Sequence, residues 1–266
     1  MQRTDWDQLS LPVRAAVERR TGPVRAARTA PAGKNSALAA LLSTDYGAVF
    51  VKGLHADDPR VVSQEREAAV SPHVAPLSPR LLWQTEVDGW NLLGFHAAPG
   101  RHADYAPDSA DLPKVVDAMR RLALLRCPAL PQLKRAEQRW AAYVDDTDLP
   151  LLRGDTLLHT DYSPDNVLVH GPAARLIDWA WPTLGAGFID PSCLAVRLIF
   201  AGHPPERAEA HVGTVPAWQH APARGIDVFA SALARMWSQI ASTDPTPWKQ
   251  RMADSARAWQ AHRTNR

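Results

Sequence analysis

The sequence predicts an α+β fold with a strand-rich first part and a helix-rich remainder. Up to about residue 96, short β-like segments alternate with turns, and a single helical segment interrupts them. After Gly100, apolar residues recur at helical spacing instead. Strands followed by helices favour two segregated lobes over alternating βαβ units. We therefore expect an N-terminal lobe over residues 1–96 and a C-terminal lobe over residues 97–266.

The first lobe should open with a short helix over residues 11–20 and continue as five strands. The predicted strands are 24–29, 38–42, 48–52, 80–86 and 90–95. Asp88-Gly89, between the last two, is typical of a two-residue hairpin turn. These segments predict one sheet in the first lobe.

One helix should interrupt this sheet between the third and fourth strands. Asp57 or Asp58 would cap the helix, with Pro59 in its first turn. It should reach about Val70, because Pro72 follows.

The second lobe contains two further helical patterns. Their apolar positions are Val115, Val116, Met119, Leu122 and Ala123, and then Leu133, Ala136, Trp140, Tyr143 and Val144. More helical segments follow the strands near residues 167–177.

Charge and hydropathy exclude several classes of function. The 266 residues carry a net charge of +2, too mild to indicate a nucleic-acid or membrane surface. No apolar run reaches the roughly 18 residues of a membrane span, and the charged N-terminal segment has no apolar core typical of a signal peptide. We expect a soluble, cytoplasmic protein, monomeric by default, that acts on a small molecule.

The stretch LLHTDYSPDNVLV, residues 157–169, contains the strongest functional signal. Strands over 167–169 and 175–177 should form a hairpin around Gly171-Pro172. The start of one hairpin strand lies beside the end of the other, which brings Asn166 near Asp178. Asp161 belongs to the loop that enters the same end of the hairpin.

These three side chains are suited to phosphate chemistry. Amide and carboxylate oxygens from Asn166 and Asp178 are ligands that Mg²⁺ accepts, while Asp161 could receive a hydroxyl proton. A polar turn in which Asp and Asn cap backbone groups is the simpler interpretation of a lone Asp-x-x-x-x-Asn. The hairpin geometry and the added His159 favour phosphoryl transfer.

The motif resembles a known family. His159-x-Asp161-x-x-x-x-Asn166, followed by Ile-Asp-Trp at 177–179, resembles the catalytic segment of aminoglycoside phosphotransferases and related small-molecule kinases. Their fold is protein-kinase-like and bilobal. Protein kinases have His-Arg-Asp and Asp-Phe-Gly at these places. The departures here are usual for the antibiotic kinases and argue against a protein kinase.

The resemblance implies a role for each residue of the motif. Asp161 would be the catalytic base or the residue that orients the acceptor hydroxyl. Asn166 and Asp178 would hold Mg²⁺, and His159 would support the loop. The lobe over residues 1–96 would bind the nucleotide, and the lobe over residues 97–266 would carry catalysis and the acceptor.

The resemblance also implies a lysine in the third strand that binds phosphates and pairs with a helix glutamate. In AVFVKG, Lys52 is that lysine. The family pattern around REAAVSPHV indicates Glu67 as its partner. Helical spacing indicates Glu65 instead, on the face shared with Val61. Both remain open, and Glu67 is the preferred candidate.

Two further segments could contact the nucleotide. The stretch APAGKNSAL, with Gly33, could cover the phosphates, or it could be a plain hairpin turn. Backbone groups at Gly94, Phe95 and His96 could bind the purine edge. Backbone recognition leaves both ATP and GTP open as the phosphate donor.

Acceptor binding should involve the helices after residue 191 and the loop near residues 100–111. Asp190-Pro191 should start a helix by capping it and could also hold the catalytic loop. The acidic candidates for a cationic acceptor are Glu206, Glu209, Asp227 and Asp254. Solvated helix faces are the simpler interpretation of those acids, and core packing is the simpler interpretation of the C-terminal tryptophans.

The predicted function is transfer of the γ-phosphate of ATP to a small-molecule hydroxyl, with an aminoglycoside or another antibiotic as the candidate acceptor. One alternative is a kinase-like protein that binds a nucleotide or metabolite without turnover. Another is a metal hydrolase using His159, Asp161 and Asp178, although too few metal ligands can be placed for it.

Overall fold

A computed structural model of the chain describes residues 3–30 and 35–266. Gly33 of the predicted phosphate loop lies outside the described residues. The described chain divides into two compact units. The first unit extends to Pro99 and includes Ile177–Ala180, and the second comprises Gly100–Leu176 and Trp181–Arg266.

The first unit is an antiparallel sheet with two helices. In chain order, its elements are α1 (Leu11–Thr21), β1 (Val24–Thr29), β2 (Leu38–Thr44), β3 (Gly47–His55), α2 (Val61–Val74), β4 (Leu81–Val87) and β5 (Trp90–His96). The strand order is β1-β2-β3-β5-β4. All five predicted strands are therefore confirmed, with bounds that differ by a few residues.

The core of this unit lies between the N-terminal segment and the sheet. Val13 and Val17, one helical turn apart on α1, are fully buried against strand residues that include Leu38 and Leu92. The β4–β5 turn has the predicted sequence: Asp88 and Gly89 both have positive φ, at 49° and 74°. Positive φ at both central residues is the geometry of a type I′ hairpin turn, which Asp-Gly favours.

Helix α2 differs from its prediction at both ends. Arg60, rather than Asp57 or Asp58, is the residue at its N-cap. The Asp58 carboxylate instead binds the Arg60 amide, at 2.9 Å, and its guanidinium. The helix also continues through Pro72 to Val74, so the predicted end near Val70 was wrong. Proline has no N–H, so it cannot donate one hydrogen bond of the helix. Pro72 lies two residues before the end of α2, where the loss of that one bond ends the helix only slightly later than predicted.

The second unit combines two small sheets with most of the helices. In chain order, its elements are β6 (Arg101–His102), α3 (Leu112–Ala123), β7 (Lys134–Arg135), α4 (Ala136–Arg139), β8 (Thr156–Leu158), β9 (Val167–His170), β10 (Ala173–Leu176), β11 (Thr183–Gly185), α5 (Ile189–Phe200), α6 (Pro205–Val212), α7 (Pro216–Gln219), α8 (Ala223–Thr243) and α9 (Pro247–Thr264). The sheets have the orders β10-β9-β6 and β7-β11-β8.

The predicted hairpin after the 157–169 stretch is present. β9 pairs antiparallel with β10, and Val167 lies opposite Leu176. Gly171 has φ of 54° in the turn, where glycine adopts left-handed backbone without a Cβ clash. Ile177 follows β10 and is not part of it, so the second strand ends one residue earlier than predicted.

Two helix predictions in this unit need correction. The pattern over Leu133–Val144 is not one helix, because Lys134 and Arg135 pair with β11 as strand β7 and only the short α4 and a 3-10 turn follow. At α5 the N-cap is Phe188, so Asp190 lies inside the first turn and does not cap the helix. The helix predicted around Val115 is confirmed as α3.

None of the helices formed by residues 3–30 and 35–266 has the length and apolar character needed to cross a membrane.

Candidate functional site

The segment between β8 and β9, residues 159–166, is held in an uncommon backbone conformation. We call it loop 159–166. Thr160 has φ of 67°, a left-handed value that is rare for a β-branched residue. Residues in such regions cost about 1–3 kcal/mol and persist only where the surroundings hold them. The contacts around Thr160 therefore matter for the shape of the whole loop.

Asp190 on α5 supplies the main support. Its carboxylate accepts hydrogen bonds from the His159 amide at 3.0 Å and the Thr160 amide at 2.8 Å. The Tyr162 hydroxyl donates to the same carboxylate at 3.1 Å. Burial raises the pKa of Asp190, and these donated bonds oppose the rise. Asp190 thus holds the loop backbone, the role that the sequence suggested beside capping.

Arg139 supports the same loop from α4. Its guanidinium donates to Thr160 Oγ1 at 2.5 Å and to Thr183 Oγ1 at 2.9 Å. The Thr160 hydroxyl in turn donates to the Trp181 carbonyl at 3.2 Å. Sequence reasoning missed Arg139, because its partners lie more than twenty residues away and no local motif connects them.

Asp161 carries a partly exposed carboxylate that the loop and α5 hold in place. Its Oδ1 accepts from Arg197 Nη2 at 2.9 Å and from the Ser163 amide at 3.3 Å. Asn166 donates through Nδ2 to the Asp161 carbonyl at 3.3 Å. The amide nitrogen of Asn166 is therefore occupied within the loop, and its oxygen is the atom suited to a cation.

A second group of charged side chains lies in the first unit. Lys52 on β3 forms ion pairs with Glu67 of α2 and with Asp178, whose Oδ1 is 2.9 Å from Nζ. Glu67 Oε1 also accepts from the Trp179 amide at 3.4 Å. Asp178 itself has left-handed backbone, with φ of 62°. We call Lys52, Glu67 and Asp178 the lysine cluster.

Burial and charge oppose each other in the lysine cluster. Burial disfavours the charge on Lys52, but Asp178 and Glu67 outweigh it and raise the pKa of the ammonium. Burial raises the pKa of Glu67; Lys52 opposes this rise and Asp178 adds to it. One ammonium against two carboxylates leaves the cluster with an excess of negative charge.

The structure pairs Lys52 with Glu67 and leaves Glu65 exposed. The buried face of α2 consists of Gln64, Glu67, Val70, Ser71 and Val74. The spacing of apolar residues predicted a different buried face, the one that carries Glu65. It did so because two residues of the true buried face, Gln64 and Glu67, are polar and do not count in an apolar pattern. Polar residues that are buried for a specific partner are invisible to a hydrophobic pattern.

The residues predicted to contact a purine lie at the end of β5. Gly94 and Phe95 pair with β3 on one side and β4 on the other. The amide of His96 donates to the Arg80 carbonyl at 2.9 Å. Purine recognition by Gly94, Phe95 and His96 stays a prediction. The Phe95 ring lies 5.8 Å from Lys52 Nζ.

The acidic candidates for a cationic acceptor are mostly paired with arginines. Glu209 is buried and bound by Arg263 at 3.4 Å and by the Trp259 indole at 2.7 Å. Asp227 pairs with Arg263 at 2.7 Å, and Asp254 pairs with Arg257. The Glu209 and Asp227 pairs connect α6 and α8 to α9, whereas Asp254 and Arg257 both lie on α9. Of the four, Glu206 on α6 is the acid for which the described residues show no such pair.

The hydrolase alternative requires a cluster of metal ligands. Within the ranges 3–30 and 35–266, no three His, Cys, Asp or Glu side chains form a group that could hold a metal ion. His159 is buried, and its Nδ1 accepts from the Asp161 amide at 3.3 Å. This contact fits a structural histidine of the loop.

No protein-family model matches the sequence, and no curated protein matches it. Several solved structures, in contrast, are similar to the structure of this chain. An aminoglycoside phosphotransferase from Alicyclobacillus acidocaldarius has a TM-score of 0.66 at 11% identity, with 98% of both chains covered. Choline kinase LicA from Streptococcus pneumoniae has a TM-score of 0.59 at 11% identity, covering 94% of this chain and 99% of that one.

A third similar structure contains bound ligands. A thermostable mutant of aminoglycoside phosphotransferase APH(4)-Ia, in ternary complex with ADP and hygromycin B, has a TM-score of 0.56 at 15% identity. The match covers 92% of this chain and 97% of that chain. These likenesses confirm the predicted α+β fold. The chain therefore has the protein-kinase-like fold of aminoglycoside phosphotransferases and related small-molecule kinases.

Proposed function

We propose that the protein transfers the γ-phosphate of ATP to a hydroxyl group of a small molecule. The observation that carries the proposal is the lysine cluster: a buried Lys52 held between Glu67 and Asp178. Buried charges are costly to desolvate, so a sheet gains little stability from such a group. The cost is understandable if the cluster binds a charged ligand. The nucleotide complexes among proteins of this fold support that ligand being ATP.

In this proposal Lys52 binds the α- and β-phosphates, and Glu67 fixes its ammonium in place. Its buried position leaves few alternative rotamers, so the charge is oriented before the nucleotide binds. Gly94, Phe95 and His96 would hold the purine through backbone groups. GTP remains an alternative donor, because backbone groups of this kind can bind either purine.

The donor chemistry near the two proposed metal ligands fits Mg²⁺. Asp178 supplies a carboxylate and Asn166 an amide oxygen, and hard oxygen donors are what Mg²⁺ prefers. The excess negative charge of the lysine cluster also favours a further cation. When bound, Mg²⁺ would neutralise charge on the phosphates. We assign Asn166 and Asp178 as the residues that would hold it.

Asp161 would act on the acceptor. Its partly exposed carboxylate would receive a hydrogen bond from the acceptor hydroxyl and orient the oxygen for in-line attack on the γ-phosphorus. The new bond joins the acceptor oxygen to phosphorus, the bond to the β–γ bridging oxygen breaks, and ADP leaves. The hydroxyl proton passes to Asp161. Catalysis would come mainly from position and electrostatics.

The acceptor class is open between cationic antibiotics and less charged hydroxyl compounds. The name aminoglycoside phosphotransferase and the hygromycin B complex point to the first group. Most of the acids proposed to receive a cation are paired with arginines, which points to the second. A panel of acceptors should therefore include both.

The test is a mass-shift screen. The protein is incubated with Mg²⁺, ATP and one hydroxyl compound at a time, and products are inspected for the added mass of a phosphoryl group. Asp161→Asn serves as the matched control for contaminating kinases. The competing interpretation, a kinase-like binding protein, would be supported by magnesium-dependent nucleotide binding with no phosphorylated product from any compound.

A further inference from the structure

Helix α5 presents two charged side chains to loop 159–166 from one face. Asp190 and Arg197 are seven residues apart, which is about two helical turns and places them on the same side. Asp190 binds the loop backbone at His159 and Thr160. Arg197 binds the Asp161 side chain at 2.9 Å. One helix thus fixes both the path of the loop and the carboxylate that it carries.

The Arg197 guanidinium is held by neighbours of its own. It lies 5.6 Å from the centre of the Trp237 ring on α8, a cation–π distance. Its Nη1 is 3.7 Å from the Met252 sulfur on α9. The side chain is only 17% exposed. Its position is therefore set by packing and does not depend on Asp161 alone.

The two oxygens of the Asp161 carboxylate have different surroundings. Oδ1 receives both Arg197 and the Ser163 amide. For Oδ2, the described parts of the chain provide no hydrogen-bond donor, while the side chain as a whole is 31% exposed. A carboxylate anchored through one oxygen can offer the other, in a fixed direction, to a hydroxyl group.

We propose that Arg197 is a positioning residue for phosphoryl transfer: it anchors Oδ1 of Asp161 so that Oδ2 faces the acceptor hydroxyl. This inference rests on the function proposed above for Asp161. A displacement of about 1 Å at a reacting group can reduce turnover about a hundredfold. The loss of Arg197 should therefore lower kcat and leave nucleotide binding nearly unchanged.

The competing explanation is an ion pair that only adds stability. Partly exposed pairs of this kind typically contribute little, and many contribute nothing measurable. The two explanations predict different values of kcat. Loss of a purely stabilising pair leaves kcat unchanged in a protein that remains folded, whereas loss of a positioning residue lowers it. The experiment below uses that difference.

The first measurement needs no acceptor. Tm is measured for the wild type, Arg197→Gln, Asp161→Asn and the double variant. If the side chains interact, the Tm change of the double variant differs from the sum of the single changes. Arg251→Gln is the matched control, because it removes an equal charge from the neighbouring helix α9. The Arg251 guanidinium lies 4.4 Å from the centre of the Phe200 ring, also a cation–π distance. Its Tm change should be additive with that of Asp161→Asn.

The second measurement is turnover of Mg²⁺-ATP with an acceptor from the screen, or with water as acceptor. We expect Arg197→Gln to lower kcat about 10- to 100-fold while KM for ATP stays within about twofold. The kcat of Arg197→Lys should lie between those of the wild type and Arg197→Gln, because lysine keeps the charge without the planar pair of donors of the guanidinium.

Added guanidinium ion should restore part of the kcat of Arg197→Ala, which a purely structural role would not predict. Arg251→Gln should match the wild type.

Each contrary outcome has its own meaning. Additive Tm changes for Arg197→Gln and Asp161→Asn would reject the contact, and with it the proposal. Coupled Tm values with a wild-type kcat for Arg197→Gln would reject the positioning role. A wild type that transfers phosphate to no acceptor, water included, would reject the proposed function itself and Arg197's part in transfer, even where the Tm values are coupled.

Discussion

The lysine cluster and the Asp161–Arg197 pair hold their charges in opposite ways. In the first, Lys52 and Glu67 are buried, with side chains 10% and 6% exposed, and two carboxylates share one ammonium. In the second, one carboxylate meets one guanidinium, and the carboxylate is 31% exposed. Asp178 is 28% exposed, so the first group is buried at Lys52 and Glu67 and opens at Asp178, with two carboxylates for one ammonium. The second group is partly exposed at both members and balanced in charge.

This difference indicates two separate functions, ligand binding for the lysine cluster and orientation of a reacting group for the Asp161–Arg197 pair. A buried cluster with excess negative charge gains from additional positive charge, which suits the binding of a cation together with a nucleotide. A balanced, partly exposed pair has no such need. Its value would lie in the direction in which it holds one carboxylate oxygen. The variants below test whether one group governs binding and the other governs rate.

The largest effect should come from Asp161→Asn. The amide preserves the shape of the side chain but is a poor acceptor of the hydroxyl proton. We expect kcat to fall about 10²- to 10⁴-fold, the usual range for loss of a general base. The dissociation constant for Mg²⁺-ATP, measured by titration calorimetry, should change less than about threefold. A near-native kcat would show that Asp161 does not act on the acceptor.

Asp178→Ala should produce the converse result. It removes a proposed metal ligand and one of the two carboxylates that face Lys52. Nucleotide affinity in the presence of Mg²⁺ should fall about 10- to 100-fold, while affinity measured in EDTA should change little. Equal losses with and without the metal would contradict a role in metal binding. Asp165→Ala, on the same loop as Asp161, is the control for a general loss of negative charge.

A smaller effect is expected from a pair of variants on α2. Glu67→Gln removes the carboxylate that holds Lys52, and KM for ATP should rise about tenfold as the ammonium loses its fixed position. Glu65→Gln removes an equal charge from the exposed face of the same helix and should leave KM unchanged. The reverse result, with Glu65→Gln as the damaging change, would restore the assignment that helical spacing favoured.

The sequence predicted the fold well because its strong signals are local. Asp88-Gly89 specifies its own turn, and the hairpin around Gly171 follows from two short apolar runs. Loop 159–166 was identified because its polar residues interrupt buried strands. Each of these features is decided within about ten residues, where pattern and propensity act most directly.

The errors have long-range causes. The segment around Lys134 reads as helix, but pairing with β11, nearly fifty residues later, makes it a strand. Arg197 went unnoticed because its partner Asp161 lies 36 residues before it. One signal could have found it: the seven-residue spacing from Asp190, which places both on the face of α5 that meets the loop.

The smallest functional effect should come from a third charged group, at Asp111. Its carboxylate accepts from Arg101 Nη2 at 3.0 Å and from the Asp104 amide at 3.0 Å, within the 100–111 loop and apart from both the lysine cluster and the Asp161–Arg197 pair. Arg101 holds the pKa of Asp111 at about 2, below its usual 3.8. We expect Asp111→Asn to leave kcat and KM for ATP within about twofold of wild type while lowering the free energy of unfolding at pH 7 by about 1–2 kcal/mol.

The pH dependence of that loss identifies its cause. Because the folded-state pKa of Asp111 is lower than the unfolded value, its stabilising effect is complete above the unfolded pKa of 3.8 and disappears as pH falls through about 2. The stability difference between wild type and Asp111→Asn, measured by urea unfolding, should therefore shrink over that window. A difference that stays constant with pH would assign the loss to packing. A fall in kcat would mean that ion pairs outside both proposed sites also govern turnover, and the contrast between the lysine cluster and the Asp161–Arg197 pair would lose its meaning.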